Sequence, residues 1–195
     1  MTTTLSRKEQ SHERIVAVAA RAIRRAGYRG LGVADIMKEA GLTHGGFYAH
    51  FASRDALLIE AMQQASRDNH VTLSASMARR MAKGQSRFAA LVGSYLNDKH
   101  LERSESGCVV AALASEMTRQ DDAVQQEAKR RVADLVAFVR SCLPEGIERQ
   151  QAEVITATMV GALQLARTLG GPAGRALLTQ TRESLILQHQ PVSIP

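Results

Sequence analysis

Residues 12–62 read HERIVAVAARAIRRAGYRGLGVADIMKEAGLTHGGFYAHFASRDALLIEAM, and this stretch decides the fold. Apolar residues recur in its first part at spacings of three and four, from Ile15 to Ala26. That spacing predicts a helix with one apolar stripe opposite its arginines. Because Gly27 follows the stripe and glycine is a poor helix former, we expect the helix to end there.

Two short helices are predicted next. The first spans about 33–40 and is followed by Gly41, which favours the left-handed conformation found after many helices. Thr43 is placed to cap the second, at about 44–50, and Ser53 to cap a long fourth helix. Two short helices joined by a glycine-containing turn, behind one longer helix, are typical of a helix-turn-helix DNA-binding domain.

Beyond this stretch the apolar pattern is that of long helices with short breaks. Trp is absent, and no proline precedes Pro144. This composition favours helices over strands. We therefore predict an all-α protein, with a three-helix helix-turn-helix domain at 1–55 and a larger helical domain at 56–195. The helices expected beyond the short ones span about 53–81, 85–102, 108–117, 121–143, 149–169 and 173–188.

Positive charge is concentrated at one end of the chain. The formal net charge is +6, and residues 1–30 hold seven basic side chains against two acidic ones. A basic end favours a polyanionic partner, either nucleic acid or an anionic membrane surface. The same charges are equally compatible with a solvated helix face.

Several classes of protein are disfavoured by what the sequence lacks. No stretch approaches the ~18 uninterrupted apolar residues of a membrane helix, and no apolar leader segment opens the chain. Cys108 and Cys142 are too few for a disulfide framework or a zinc cluster, so we expect a cytoplasmic protein without a cofactor or metal. Motifs for phosphate loops, zinc proteases and nucleophile elbows are missing, so we expect no enzyme. A membrane-surface role is weakened because the first helix has no aromatic residue on its apolar face.

The stretch 12–62 resembles the N-terminal DNA-binding domain of the tetracycline-repressor (TetR) family of transcriptional regulators. The resemblance rests on the apolar stripe, the Gly27–Tyr28 break, Asp35–Ile36, Ala40–Gly41 and the run FYAHF at 47–51, which occur in the family's order and spacing. The remainder resembles the family in length, helical content and a late pair of apolar helices, and GCVVAALASEM at 107–117 more weakly resembles one branch. The resemblance implies a homodimeric, ligand-responsive regulator, most often a repressor, that binds palindromic double-stranded operator DNA.

The resemblance also implies which residues meet DNA. Thr43 and His44 match positions where bases are read, and two glycines after them would let the backbone come close to the duplex. Tyr48, His50 and Arg54 match positions that reach the sugar-phosphate backbone. Alternatives stay open: His44 and Arg54 as solvated polar residues, and Tyr48 as part of the core. The predicted DNA-binding residues are Thr43, His44, Gly45, Gly46, Tyr48, His50 and Arg54.

The second helix departs from the family's pattern. Leu31 and Gly32 stand where a phosphate-contacting Thr or Ser is usual, and Ala34 stands where a basic residue is frequent. We therefore expect the third helix, the backbone amides of Gly32 and Val33, and the N-terminal arginines to carry more of the DNA contact.

In this family the helices at 85–143 would enclose an effector cavity. Few charged residues interrupt the apolar pattern there, which favours an apolar or aromatic effector. Each candidate is also compatible with an ordinary core position. The predicted effector-binding residues are Phe88, Leu91, Tyr95, Cys108, Val109, Leu113 and Met117.

Cys108 supports an alternative function. It lies at the predicted start of a short helix, where the helix dipole can lower the pKa of a thiol and create a reactive thiolate. The alternative is a repressor that senses oxidants or electrophiles through this thiol. A buried cysteine that serves only as a small apolar residue is the competing interpretation.

The segment 154–169 has apolar or small residues on nearly every face, which predicts a helix buried on both sides. One side would face its own domain and the other a second copy of the chain, with part of the final helix completing a four-helix bundle. A central core helix of a monomer is the alternative. The predicted dimer-interface residues are Val154, Ala157, Gly161, Leu165, Leu178, Thr181 and Leu185.

Overall fold

The computed structural model describes residues 6–28, 30, 32–144, 146–148 and 150–189. Arg29 and Leu31, which entered the charge count and the comparison of the second helix above, lie outside the described residues. The predicted all-α class is confirmed, since the described residues contain helices and no strand. The α-helices are α1 Arg7–Ala26, α2 Val33–Glu39, α3 Arg54–Met81, α4 Arg87–Tyr95, α5 Asp98–Glu102, α6 Val109–Met117, α7 Asp122–Arg140, α8 Gln151–Leu169 and α9 Gly171–Gln188.

Local side-chain chemistry explains where the first long helices begin. At the start of α1 the Ser6 hydroxyl accepts from the Glu9 amide at 3.3 Å, and the Glu9 carboxylate accepts from the Ser6 amide at 2.7 Å. This reciprocal pair satisfies two of the amides that a helix start leaves unpaired. Ser53 caps α3 as predicted, because its hydroxyl accepts from the Ala56 amide at 3.1 Å.

The segment His44–Ala49, hereafter the recognition segment, is a 3-10 helix rather than an α-helix. Its bonds join residues three apart: the Gly46 amide donates to the Thr43 carbonyl at 3.0 Å, and the His50 amide to the Phe47 carbonyl at 2.9 Å. Two successive glycines near its start lower its α-helix propensity by roughly 1 kcal/mol each, which explains the tighter turn.

The prediction of one helix over 85–102 is wrong. The backbone leaves the helical conformation at Leu96, and the Asn97 side chain accepts from the His100 amide at 3.1 Å, which caps a new helix. Apolar periodicity continues through this point, so the pattern alone did not reveal the break. Helix α1 begins at Arg7, well before the apolar stripe that predicted it, because the Ser6–Glu9 capping pair starts it earlier. The remaining predicted helices agree with the structure to within a few residues at each end.

The chain forms two compact units. Unit 1 comprises residues within 1–68 and 105–131, and unit 2 those within 69–104 and 132–195. Two of the three divisions fall inside α3 and α7, and the third inside the 3-10 turn Ser104–Ser106. The boundary expected between residues 55 and 56 is a functional one and stays a prediction. In unit 1, α1 contacts α2 and α6 over a buried core that includes Ile15, Ile23, Met37 and Leu57.

Unit 2 is organised around the contact of α8 with α9, and α9 also contacts α4 and α5. Gly174 makes the α8–α9 approach possible, because a Cβ at this position would lie 2.3 Å from the Ala166 carbonyl oxygen. In the part of the chain that the structure describes, no helix is both long and apolar enough to cross a membrane.

Candidate nucleic-acid interface

The recognition segment rests on a small aromatic cluster. Phe47 and Phe51 are buried and stacked with ring centroids 5.5 Å apart, and the His12 ring of α1 stacks on Phe51 at 4.5 Å. His12 Nε2 also lies 2.7 Å from a carboxylate oxygen of Glu60 on α3. These contacts fix the segment against two longer helices, so its outer face is presented on a rigid base.

The outer face of the segment carries polar groups. Thr43, His44 and Gly45 are exposed, and no atom lies within 4 Å of the place where a Gly45 Cβ would be. The Tyr48 side chain is 74% exposed, so the alternative that places Tyr48 in the core is wrong. Thr43 makes no capping bond with its side chain, which leaves its hydroxyl accessible at the start of the segment.

His50 lies at the edge of this face and is half-buried. Burial lowers its pKa, and the nearby His12 and Lys8 lower it further. Its Nδ1 is buried without a hydrogen-bond partner among the described residues. The lowered pKa favours a neutral ring at neutral pH, which can serve a phosphate as a hydrogen-bond donor but brings no full charge.

Arg54 holds the turn between α1 and α2. Its Nη2 donates to the Tyr28 carbonyl, while the Tyr28 amide donates to the Glu116 carboxylate of α6 at 3.0 Å. Gly27 has φ 70°, and a Cβ there would lie 2.3 Å from a Glu116 oxygen, so only glycine fits this turn. The guanidinium has further N–H groups with which it could also meet a phosphate.

Sequence reasoning missed Glu116, which no motif marked. Its part in the structure depends on a contact between residues 88 positions apart. Local spacing cannot show such a contact.

Arg24 corrects the expectation that the arginines of α1 lie opposite the apolar stripe. Its side chain is 1% exposed, and Nη1 donates to the carbonyls of Ala65 at 3.2 Å and Gly107 at 3.4 Å. A carboxylate oxygen of Asp68 lies 3.6 Å from Nη2. Burial lowers the pKa of Arg24, and the Asp68 charge opposes that shift. Arg24 is therefore structural and contributes nothing to the basic surface.

The accessible positive charge of α1 lies mainly in its first half. Arg21 and Arg25 are each within 3.6 Å of the Glu39 carboxylate, which offsets part of their charge. Arg7, Lys8 and Arg14 make no ion pair with any residue that the structure describes. Gly32 is the N-cap residue of α2, and no side chain there makes a capping hydrogen bond to the first amides of the helix.

In unit 2, α8 exposes an apolar face formed by Val154, Ala157, Gly161 and Leu165, hereafter the α8 stripe. Val154 and Leu165 are 60% and 61% exposed. The four residues follow each other at spacings of three and four, which places them on one side of the helix. A groove of about 820 Å³ beside the stripe is lined by residues of α8 and α9, including Thr181 and Leu185.

Leu178, a predicted interface residue, is 1% exposed within its own unit and does not line that groove. Its side chain is therefore not accessible to a partner. Leu185 is also buried, at 5% exposed, although it lines the groove. The accessible part of the predicted interface is therefore the α8 stripe with Thr181.

The predicted effector-binding residues are all buried. Phe88, Leu91 and Tyr95 belong to unit 2, and the other four belong to unit 1. The groove beside the α8 stripe is lined by other residues, so the effector site stays a prediction. Cys108 precedes α6 as its N-cap residue and is 3% exposed, and Cys142 is also buried.

Two sequence profiles match the chain. Residues 15–61 match the bacterial regulatory proteins of the tetR family, and residues 84–182 match the tetracyclin repressor-like C-terminal domain. The chain belongs to the TetR family. It is therefore a transcriptional regulator with an N-terminal helix-turn-helix domain. The family consists of regulators rather than enzymes, and its members bind operator DNA and usually act as dimers.

Known proteins resemble this TetR-family chain over most of its length. An uncharacterized HTH-type transcriptional regulator of Mycobacterium tuberculosis is 27% identical over 190 residues, which are 92% of this chain and 95% of the relative. The HTH-type transcriptional repressor NemR of Escherichia coli is 21% identical over 165 residues, or 80% of this chain and 83% of NemR.

Solved structures share the fold. The reduced form of Escherichia coli NemR has a TM-score of 0.78 at 17% identity and covers 95% of this chain and 100% of its own. A TetR-family regulator of Agrobacterium tumefaciens has a TM-score of 0.75 at 21% identity, with coverages of 94% and 100%. At these identities the structures support the architecture alone.

Proposed function

We propose that this TetR-family regulator is a homodimeric repressor that reads a palindromic operator with its recognition segment and releases the DNA when a small molecule binds. The observation that carries the proposal is the exposed polar face of that segment on a fixed aromatic base. Thr43 and His44 present side-chain donors at its start, and Gly45 leaves the backbone open. A major groove is read by such donors at the start of a helix.

Positioning on the duplex is assigned to groups around that face. Tyr48 and His50 can donate to phosphate oxygens, and Arg54 can do so while it holds the Tyr28 turn. Gly46 permits a close approach of the backbone. The unpaired cations at the start of α1 add attraction that does not depend on base sequence. DNA binding thus belongs to the first domain, with its boundary proposed between residues 55 and 56.

Dimerisation is assigned to the α8 stripe. An exposed apolar face of this kind is costly in water and is best covered by the same face of a second copy related by a two-fold axis. Gly161 has no atom within 4 Å of a would-be Cβ, so a partner helix can approach closely there. Thr181 and Leu185 line the groove beside the stripe, which can receive partner side chains.

The response to an effector rests on the family. We propose an apolar or aromatic molecule as the ligand class, because few charged residues interrupt the apolar pattern of residues 85–143. The thiol-sensing alternative is not favoured, because the Cys108 side chain is buried. A reactive sensor thiol is usually accessible to its oxidant.

The test is a selection of duplexes from the native upstream DNA, followed by a ligand screen for release of the selected duplex. We expect a palindromic sequence to be enriched and one class of small apolar molecules to lower its affinity. Enrichment without a shared palindrome would contradict dimeric operator binding. Failure of every ligand, together with release by an electrophile that the Cys108→Ser variant abolishes, would favour the thiol-sensing alternative.

A further inference from the structure

A second concentration of positive charge lies in unit 2, in a part of the chain that the proposed function does not use. An open cleft of about 830 Å³, hereafter the basic cleft, is lined by residues from the end of α3, the α4–α5 junction and α9. One carboxylate, that of Asp98, faces five cations there. The cations are Arg79, Arg80, Lys83, Lys99 and Arg182.

None of these five cations makes an ion pair with an acidic residue in the described part of the chain. Arginines elsewhere in the same unit do so, since Arg175 lies 3.5 Å from Glu102. Cations that line one concave surface repel each other, and low-dielectric walls strengthen the field inside a cleft. The arrangement therefore favours an anion that neutralises several of them at once.

Two of the guanidinium groups lie against α4 and the residue that ends it. A Cβ on Gly93 of α4 would lie 2.8 Å from Nη1 of Arg80, so the missing side chain provides the space in which this guanidinium lies. Arg182 of α9 donates to the Leu96 carbonyl at 3.4 Å. Positioned guanidinium groups are suited to bidentate recognition of phosphate.

We propose that the basic cleft binds a small organic anion that carries at least one phosphate group. Its volume is within the ~300 to 1,000 Å³ typical of small-molecule sites. Arg80 and Arg182 bind the phosphoryl oxygens, and Lys83 and Lys99 add charge from the two rims. Duplex DNA is the competing occupant, but it offers phosphates along an extended surface rather than a compact cluster of charge. The proposal does not depend on operator binding.

The experiment measures binding of inorganic tripolyphosphate to the full-length chain by isothermal titration calorimetry. We expect saturable binding at one site per chain. Arg80→Gln and Arg182→Gln should each weaken it about tenfold, the effect of losing one charge-assisted hydrogen-bond set of ~1.4 kcal/mol. Two control variants should change the affinity less than about twofold. Arg140→Gln removes an exposed cation of unit 2 outside the cleft, and Arg14→Gln removes one in the first half of α1.

Gly93→Ala separates geometry from charge, because it displaces Arg80 and leaves the net charge unchanged. We expect a weakening of about threefold or more, with Arg80→Gln as the substitute test if the alanine variant melts at a much lower temperature. Equal losses of tripolyphosphate affinity in the cleft variants and in the two controls would show nonspecific attraction and overturn the proposal. So would unchanged tripolyphosphate binding in an Arg80→Gln, Arg182→Gln double variant that binds a random duplex more weakly.

Discussion

The recognition segment of unit 1 and the α8 stripe of unit 2 both expose side chains, but with opposite chemistry. Tyr48, Thr43 and His44 present hydroxyl and ring donors, whereas Val154 and Leu165 present hydrocarbon. Water satisfies the first set and not the second. The contrast teaches that exposure alone does not identify a partner: a polar face supported from below suits a polyanion, and an apolar face suits a second copy of itself.

The two surfaces also differ in what lies beneath them. The recognition segment rests on the stacked rings of Phe47, Phe51 and His12. Unit 1 is also held by polar contacts between distant parts of its chain, those of Arg24 with Gly107 and of Glu116 with Tyr28. The α8 stripe is supported by apolar packing of α8 on α9. We therefore expect a substitution in the α8 stripe to affect dimerisation and a substitution in the polar contacts of unit 1 to affect stability.

The largest effect is expected from Leu165→Asp in the α8 stripe. A carboxylate at a symmetric apolar interface is buried twice without a partner, so dimerisation should weaken at least about 100-fold. Analytical ultracentrifugation should show monomers at concentrations at which the parent is dimeric. Val71→Asp is the matched control, because Val71 is also an exposed aliphatic residue of unit 2 but lies on α3. A dimeric Leu165→Asp protein would remove the proposed role of the stripe.

A smaller effect, on the free energy of unfolding, is expected when the buried polar contacts of Arg24 in unit 1 are removed. Arg24→Met keeps the apolar stem of the side chain but removes its bonds to Ala65, Gly107 and Asp68. The free energy of unfolding should fall by about 2 to 3 kcal/mol. Arg21→Met, on the same helix but with an exposed ion pair to Glu39, should cost about 0.5 kcal/mol or less. Similar losses in both urea titrations would show that burial of Arg24 has no special importance.

Much of this architecture could be predicted from sequence. The order of helices follows from apolar spacing and glycines, because these act over a few residues. The break at Leu96 and Asn97 was not predicted. An asparagine inside an apolar pattern ends a helix only when its side chain caps the next one, as Asn97 does here, and the sequence pattern does not show this. The burial of Arg24 and the contact of Glu116 escaped for another reason: each depends on groups more than 40 positions away along the chain.

The candidate site divides in the same way. Thr43 and His44 were expected at the exposed start of the recognition segment, because a cap signal and a glycine pair mark such a start. The bond between His100 and the Tyr95 carbonyl in unit 2 had no comparable sequence signal. His100 lies in a short charged stretch that resembles an ordinary surface turn.

The interior of unit 2 should make stability depend on pH. Burial lowers the pKa of His100 to about 4, with Arg167 lowering it further and a bond to the Tyr95 carbonyl opposing the shift. Below pH 6.5 the unfolded chain binds a proton that the folded chain does not, so acid destabilises the fold. About 2 kcal/mol should be lost from pH 7 to pH 5 through this group. Between pH 7 and pH 5 the His100→Gln variant should lose less free energy of unfolding than the parent. Equal losses for the two proteins in urea titrations would contradict this.

The central claim is that the recognition segment reads base sequence, and its most direct test is the ratio of affinities for the selected operator and a shuffled duplex at fixed salt. The parent ratio should be about 1,000 or more. His44→Ala should lower that ratio about tenfold, because the variant loses base discrimination while keeping its phosphate contacts. Lys8→Gln, which removes an unpaired cation of α1, should weaken binding to both duplexes alike and leave the ratio unchanged. A parent ratio near one, or an unchanged ratio in His44→Ala, would contradict the account.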